Sequence, residues 1–178
     1  MLSSTEKVTL MRAALDEARR GMAAGEVPIG SVIARGSGST LRVIARGHNR
    51  VNALQRKVAH AEMIAFENAG KHEKDRPPLL PLDAEDAILI STLEPCVMCL
   101  GAAMEAGIKT VIFGLEAPAD NGTQRVRPPE SPESSTPSII GGILAEDSRQ
   151  LFEFWLAKNQ ETEQAKFVRQ LLVLTSSK

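Results

Sequence analysis

Two cysteines, Cys96 and Cys99, are all that this 178-residue chain contains. A disulfide between residues three apart closes no useful loop, so stabilisation by cross-linking is excluded and the pair reads as metal ligands or redox thiols. The sequence also lacks any apolar run near the ~18 residues of a membrane span, and its opening MLSSTEK has no basic stretch leading into an apolar one. A cytoplasmic protein without a membrane partner is expected. Nor is either charge in excess: 21 lysines and arginines face 22 aspartates and glutamates. That balance advertises no polyanion-binding protein, although it leaves room for a local basic patch. No internal repeat is visible. With 43% hydrophobic residues, the length allows one well-buried core, and residues 1–178 are expected to form a single domain.

What is present reads as alternating helices and strands. Ser3 and Glu6 have capping-box spacing, and Val8, Met11, Ala14, Leu15, Ala18 and Met22 recur at helical intervals until Gly25. Two runs over 31–34 and 41–45, split by Gly36, Ser37, Gly38 and Ser39, predict a hairpin. Helix-forming composition over 59–69 stops at Gly70. The charged, proline-bearing stretch 71–86 is a surface connection to an apolar strand at 87–92. Pro95 suits the first turn of a helix running to Ala106, and Gly107 separates it from a strand at 110–113. A helix joining two strands makes them parallel with a right-handed crossover, so the core is α/β. Residues 115–138, rich in proline and serine, supply no regular core element and read as a surface linker or as a lid over a pocket. A short strand at 139–144 and a helical C-terminal segment over 147–158 and 164–174 follow.

The chemistry sits in two short stretches, His60-Ala61-Glu62 and Pro95-Cys96-Val97-Met98-Cys99. One imidazole and two thiolates give Zn²⁺ three protein ligands and leave a tetrahedral position for water, the mark of a catalytic site. Cysteines three apart on a helix share a face, and a helix N-terminus favours their thiolate forms. Glu62 suits proton transfer beside a zinc-activated water better than it suits a fourth ligand position. On a regular helix His60 and Glu62 diverge, so His60 must sit in an irregular first turn. Alone, C-x-x-C reads as a redox dithiol and H-x-E as chance; together they match the signature of the zinc nucleobase deaminases.

With Glu26-Val27-Pro28-Ile29-Gly30, Gly47-His48-Asn49-Arg50 and Thr92-Leu93-Glu94 added in order, the chain resembles the tRNA-specific adenosine deaminase branch of the cytidine deaminase-like superfamily over residues 5–114. The resemblance implies a three-layer α/β/α sandwich around a mixed five-stranded sheet, a bound Zn²⁺, a homodimer, and substrate contacts from Asn49 and Val27. Structurally, Asn49 reads equally as a turn residue and Val27 as core packing. The pattern departs after Phe113-Gly114, where an Asp-Lys-Thr-Gly-like loop is replaced by a longer one in which Asp120 or Asn121 either takes the acidic role or simply forms a turn before Gly122.

The substrate therefore stays open between a tRNA adenosine and a small amino-heterocycle such as guanine or cytosine, free or as nucleoside or nucleotide. A tRNA needs basic residues for its phosphates. Arg125, Arg127, Lys158, Lys166 and Arg169 are candidates, though Glu153, Glu161 and Glu163 among them suggest a solvated face. A noncatalytic subunit with a structural zinc is the third reading, and Glu62 has no purpose in it. His72 is expected to be solvated, Phe152, Phe154 and Trp155 to pack a terminal helix, and His48 to line the pocket or end a strand in solvent.

Overall fold

The computed structural model describes residues 2–71, 86–130 and 134–176. The first helix, α1 (Ser4–Ala23), begins at the expected capping box: Ser3 Oγ accepts the Glu6 N–H, and the Glu6 carboxylate accepts the Ser3 N–H at 2.6 Å. A hairpin follows, β1 (Gly30–Arg35) and β2 (Arg42–His48), its tip wound into a 3₁₀ turn at Gly38–Thr40. Next come α2 (Val51–Leu54), α3 (Ala61–Ala69), β3 (Ile88–Leu93), α4 (Val97–Glu105) and β4 (Thr110–Leu115). The chain closes with β5 (Ser138–Ile140), α5 (Ala145–Lys158) and α6 (Glu163–Thr175). Most of the 71–86 connection, His72 included, lies outside the described residues.

The five strands form one sheet in the order β2-β1-β3-β4-β5. β1 is antiparallel to both neighbours, while β3, β4 and β5 run parallel. The α4 crossover between β3 and β4 explains the first parallel pair, since parallel strands need a long connection. Alternation along each strand sends side chains to opposite faces. Val32, Ala34, Ile90 and Ile112 pack with Leu10, Met11, Ala14 and Leu15 of α1; Ile33, Leu89 and Val111 pack with Ala65 of α3 and Leu100 and Ala103 of α4. Helices on both faces of a mixed five-stranded sheet make the three-layer α/β/α sandwich.

Two details place α3 and the C-terminal helices. A Cβ on Gly47 would lie 2.4 Å from the Ala61 carbonyl and 2.5 Å from the Ala65 nitrogen, so only glycine lets the start of α3 lie on β2. At the far end Phe152, Trp155, Ala165, Val168 and Leu171 bury against Val27, Leu93 and Leu115. Phe152 and Trp155 thus serve packing as expected, whereas Phe154 is 52% exposed, with the Lys158 Nζ 4.2 Å from its ring centroid. Pro95 differs from expectation: α4 starts at Val97 with Cys96 as N-cap, which leaves the proline just outside the helix.

Candidate active site

Two helix starts meet above the sheet. His60 is the N-cap of α3, in extended conformation (φ −70°, ψ 157°), with Glu62 in the first turn behind it. The non-helical cap turns the imidazole to the side that Glu62 shares, which a regular helix would forbid. Cys96 is likewise the N-cap of α4 (φ −69°, ψ 174°), and Cys99 follows on its first turn. The His60 Nδ1 lies 3.6 Å from each sulfur, and the sulfurs lie 3.6 Å from one another. For a tetrahedral zinc, bond lengths of about 2.3 Å to sulfur and 2.0–2.1 Å to nitrogen imply S···S near ~3.8 Å and S···N near ~3.6 Å. The triangle has the dimensions of a zinc ligand set, and 3.6 Å is far beyond the roughly 2.05 Å of a disulfide.

The charge states fit the same use. Hydrogen bonding with Cys99, and His60 alongside, draws the Cys96 thiol down to about 4. That bond, burial and the nearby Glu62 push Cys99 up, so holding a cation with both sulfurs requires loss of the Cys99 proton. The hydrogen bond with Cys96 raises His60. Glu62 is 3% exposed; Ser91 Oγ donates to its Oε1 at 2.8 Å, and its Oε2 lies 3.4 Å from the Cys99 sulfur. Burial pushes its carboxyl upward, the direction that suits a group passing a proton back and forth.

Above these residues a cavity of about 240 Å³ opens, lined among others by Val27, Asn49, His60, Glu62 and Cys96. The structure therefore brings His60, Glu62, Cys96, Cys99, Asn49 and Val27 to one place. Val27 is also core, 4% exposed and packed with Leu93, so its two readings are compatible. Asn49 is buried and donates through Nδ2 to Glu26 Oε2 at 3.4 Å. Asp120 lines the cavity too, its carboxyl raised by burial, whereas Asn121 is buried outside the lining. His48 does not reach the cavity; its Nδ1 lies 3.3 Å from Glu17.

Sequence reading missed five participants. Glu26 is 1% exposed and accepts the backbone N–H groups of Asn52 (3.1 Å) and Ala53 (2.8 Å) besides the Asn49 amide. Glu94 accepts the Ala117 N–H at 2.9 Å and the Thr123 hydroxyl, pinning the loop after β4 to the site. A Cβ on Gly122 would meet the Cys96 carbonyl at 2.6 Å, so the first part of 115–138 packs on a zinc-ligand segment instead of acting as a bland linker. Gln164 and Phe167 of α6 complete the wall. Their positions within motifs or helical stripes carried no signal for these contacts, apart from the buried-carboxylate rule that an acid needs donors.

Three ligands with a position left for water, and a buried carboxylate alongside, define a zinc-dependent hydrolase. Residues 4–115 match the family described as the cytidine and deoxycytidylate deaminase zinc-binding region, and the chain belongs to it; it is a hydrolytic deaminase. Over 145 residues it is 34% identical to the tRNA-specific adenosine deaminase of Bacillus subtilis (strain 168), covering 80% of this chain and 84% of that protein. A solved structure from work on A-to-I editing at the wobble position of transfer RNA shares 30% identity, with a TM-score of 0.59 over 80% of this chain and 98% of the other. The guanine deaminase of Nitrosomonas europaea shares the fold, with a TM-score of 0.64 at 23% identity and 84% coverage of each chain. Among the described residues no helix is long and apolar enough to cross a membrane.

Proposed function

We propose that this chain converts adenosine to inosine in tRNA, with His60, Cys96 and Cys99 holding the zinc, Glu62 as the proton carrier, and Asn49 and Val27 contacting the base. The 3.6 Å ligand triangle with Glu62 on the same cavity floor carries this reading. Bound zinc supplies Lewis acidity that brings a water's pKa towards about 7. Glu62 would carry the attacking water's first proton to the ring nitrogen and then the second, from the hydroxyl left on the ring carbon, to the amine, whose bond to that carbon breaks as the carbonyl forms and ammonia leaves. Ser91 fixes Oε1, and Oε2, which faces the Cys99 sulfur at 3.4 Å, is the oxygen assigned to this transfer. Glu26 holds the Asn49 amide by one N–H, which leaves its remaining donor and its carbonyl for the base edge. At about 240 Å³ the cavity is below the roughly 300–1,000 Å³ of most small-molecule sites. It suits a single flipped-out base with the rest of the substrate outside.

Residues 1–178 act in this reading as one domain, cytoplasmic and homodimeric. Large apolar side chains left exposed on the segments around the site, Leu54 (37%), Val58 (50%) and Val97 (47%), support a self-association surface. The deciding experiment incubates zinc-loaded protein with tRNA, free nucleosides, guanine and cytosine, and measures ammonia and product mass. Inosine in tRNA is expected. Product from a free base or nucleoside, with none from tRNA, would transfer the assignment to the small heterocycles.

A further inference from the structure

The C-terminal helix belongs to the pocket as much as to the core. On α6, Ala165, Val168 and Leu171 are buried in the cluster that contains Val27 and Leu93. Gln164 and Phe167, three apart on a neighbouring face, line the cavity above the ligand triangle. The chain has five phenylalanines, one tryptophan and no tyrosine, so a ring placed here is a scarce resource. Phe167 is, among the described lining residues, the one aromatic side chain besides the His60 imidazole. It is also half-buried, while its core-facing neighbours on α6 are buried. The ring rests against the core cluster and stays partly uncovered at the cavity, which leaves part of it for something flat.

The start of α6, which carries Phe167, is held by a polar latch. The Gln164 and Asn52 side-chain amides exchange two hydrogen bonds, Gln164 Nε2 to Asn52 Oδ1 at 2.6 Å and Asn52 Nδ2 to Gln164 Oε1 at 3.2 Å. Asn52 also donates to the Gly25 carbonyl (3.1 Å) through Nδ2 and to Glu26 through its backbone N–H. Glu26 is the carboxylate that receives Asn49. A continuous hydrogen-bonded path therefore joins Asn49 to α6 through one buried acid.

We infer that Phe167 is the stacking platform for the nucleobase and that the Gln164–Asn52 pair fixes it, which makes α6 a specificity element of the site; this rests on the deaminase reading above. Stacking works through the ring face, so it accepts another aromatic and rejects an aliphatic of similar bulk. The test uses whichever substrate the wild-type protein turns over fastest. Phe167→Ala should raise KM roughly 5- to 150-fold, the range that base–aromatic stacking spans, with kcat within about threefold. Zinc content and thermal midpoint serve as controls for the fold. Phe167→Tyr should restore KM and Phe167→Leu should not; this pair carries the test if the alanine variant is unstable. An unchanged KM in Phe167→Ala, a loss confined to kcat, or rescue by leucine as complete as by tyrosine would each overturn the inference alone. A wild-type protein inactive on every substrate would remove the substrate reading and this inference with it.

Discussion

At the scale of single residues, the site separates into groups that announce themselves and groups that do not. Glu62 is of the first kind: a carboxylate two positions after a ligating histidine is expected to move protons, and it is found buried with one oxygen held by Ser91. Glu62→Gln keeps the shape and can still accept from Ser91, but it cannot carry a proton. Turnover should fall by roughly 10²- to 10⁴-fold, the usual worth of a positioned general acid–base, while bound zinc stays at the wild-type stoichiometry by elemental analysis. Retained turnover with a normal metal content would remove Glu62 from the reaction. The four residues proposed to carry the chemistry were legible as a cluster because ligand spacing is local: His60 with Glu62, and Cys96 with Cys99. Glu26 and Gln164 were not, because their partners depend on how distant segments meet; Asn52 and Gln164 are 112 positions apart. Asn49 stood between the two, readable as a base contact or as a turn former; it is buried, bonded to Glu26 and part of the cavity lining.

At the scale of elements, helix starts carry the metal and glycines set where those helices lie. Period and capping predicted α1, α3, α4, α5 and α6 and the strands of the sheet, with ends off by a few residues. The 3₁₀ turn at Gly38–Thr40 and the four-residue α2 escaped because they are too short to show a period. β5 is shorter than expected, stopping at Ile140, and Leu144 turns into α5 with a left-handed φ of 50°. The α3–β2 contact at Gly47 is the element-scale feature most exposed to test. Gly47→Ala places a methyl group against backbone atoms of Ala61 and Ala65, which cannot swing away as a side chain can. A loss of roughly 1–3 kcal/mol is expected from overpacking, read as a lower urea midpoint. Because Ala61 adjoins His60, zinc affinity should fall as well; an unchanged midpoint and affinity would mean that α3 can slide without cost.

Away from the site, the start of β3 is tied to the end of β1 by Asp86, which accepts from the Arg35 guanidinium at 2.7 Å and from the Gly36 N–H at 2.9 Å. The Arg35 hydrogen bond holds the Asp86 carboxyl below its usual range. A carboxylate depressed in the folded state contributes stability above its unfolded pKa of about 3.9 and loses it as pH falls through the folded value. Asp86→Asn should therefore be less stable than wild type near neutrality, by a small margin because the pair is partly exposed. The difference should close as the medium is acidified below about pH 4. Denaturant midpoints measured from pH 7 down to pH 3 check this, and a gap that widens in acid would contradict the assigned direction.

At the scale of the whole molecule, charge balance and pocket size bear on how a large substrate could be gripped. Formal net charge is −1, so a tRNA gains nothing from the global field and must be held by local cations. Of the cations considered from sequence, Lys166 pairs with Glu163, Lys158 covers Phe154, and Arg125 donates to the Ala119 carbonyl. That is the pattern of a surface already satisfied by its neighbours. Lys57 differs: it lines the cavity and forms no ion pair among the described residues. A polynucleotide held by even three phosphate contacts should show a salt slope near −0.7 per contact for single strands. Raising salt from 50 to 200 mM should then increase the KM for tRNA roughly 10- to 20-fold, and Lys57→Ala should flatten the slope by about one contact's worth. A free base or nucleoside carries no phosphate, so its KM should stay level over the same range. A level KM for tRNA would mean that the base alone is recognised, and the cavity would then be the entire binding site.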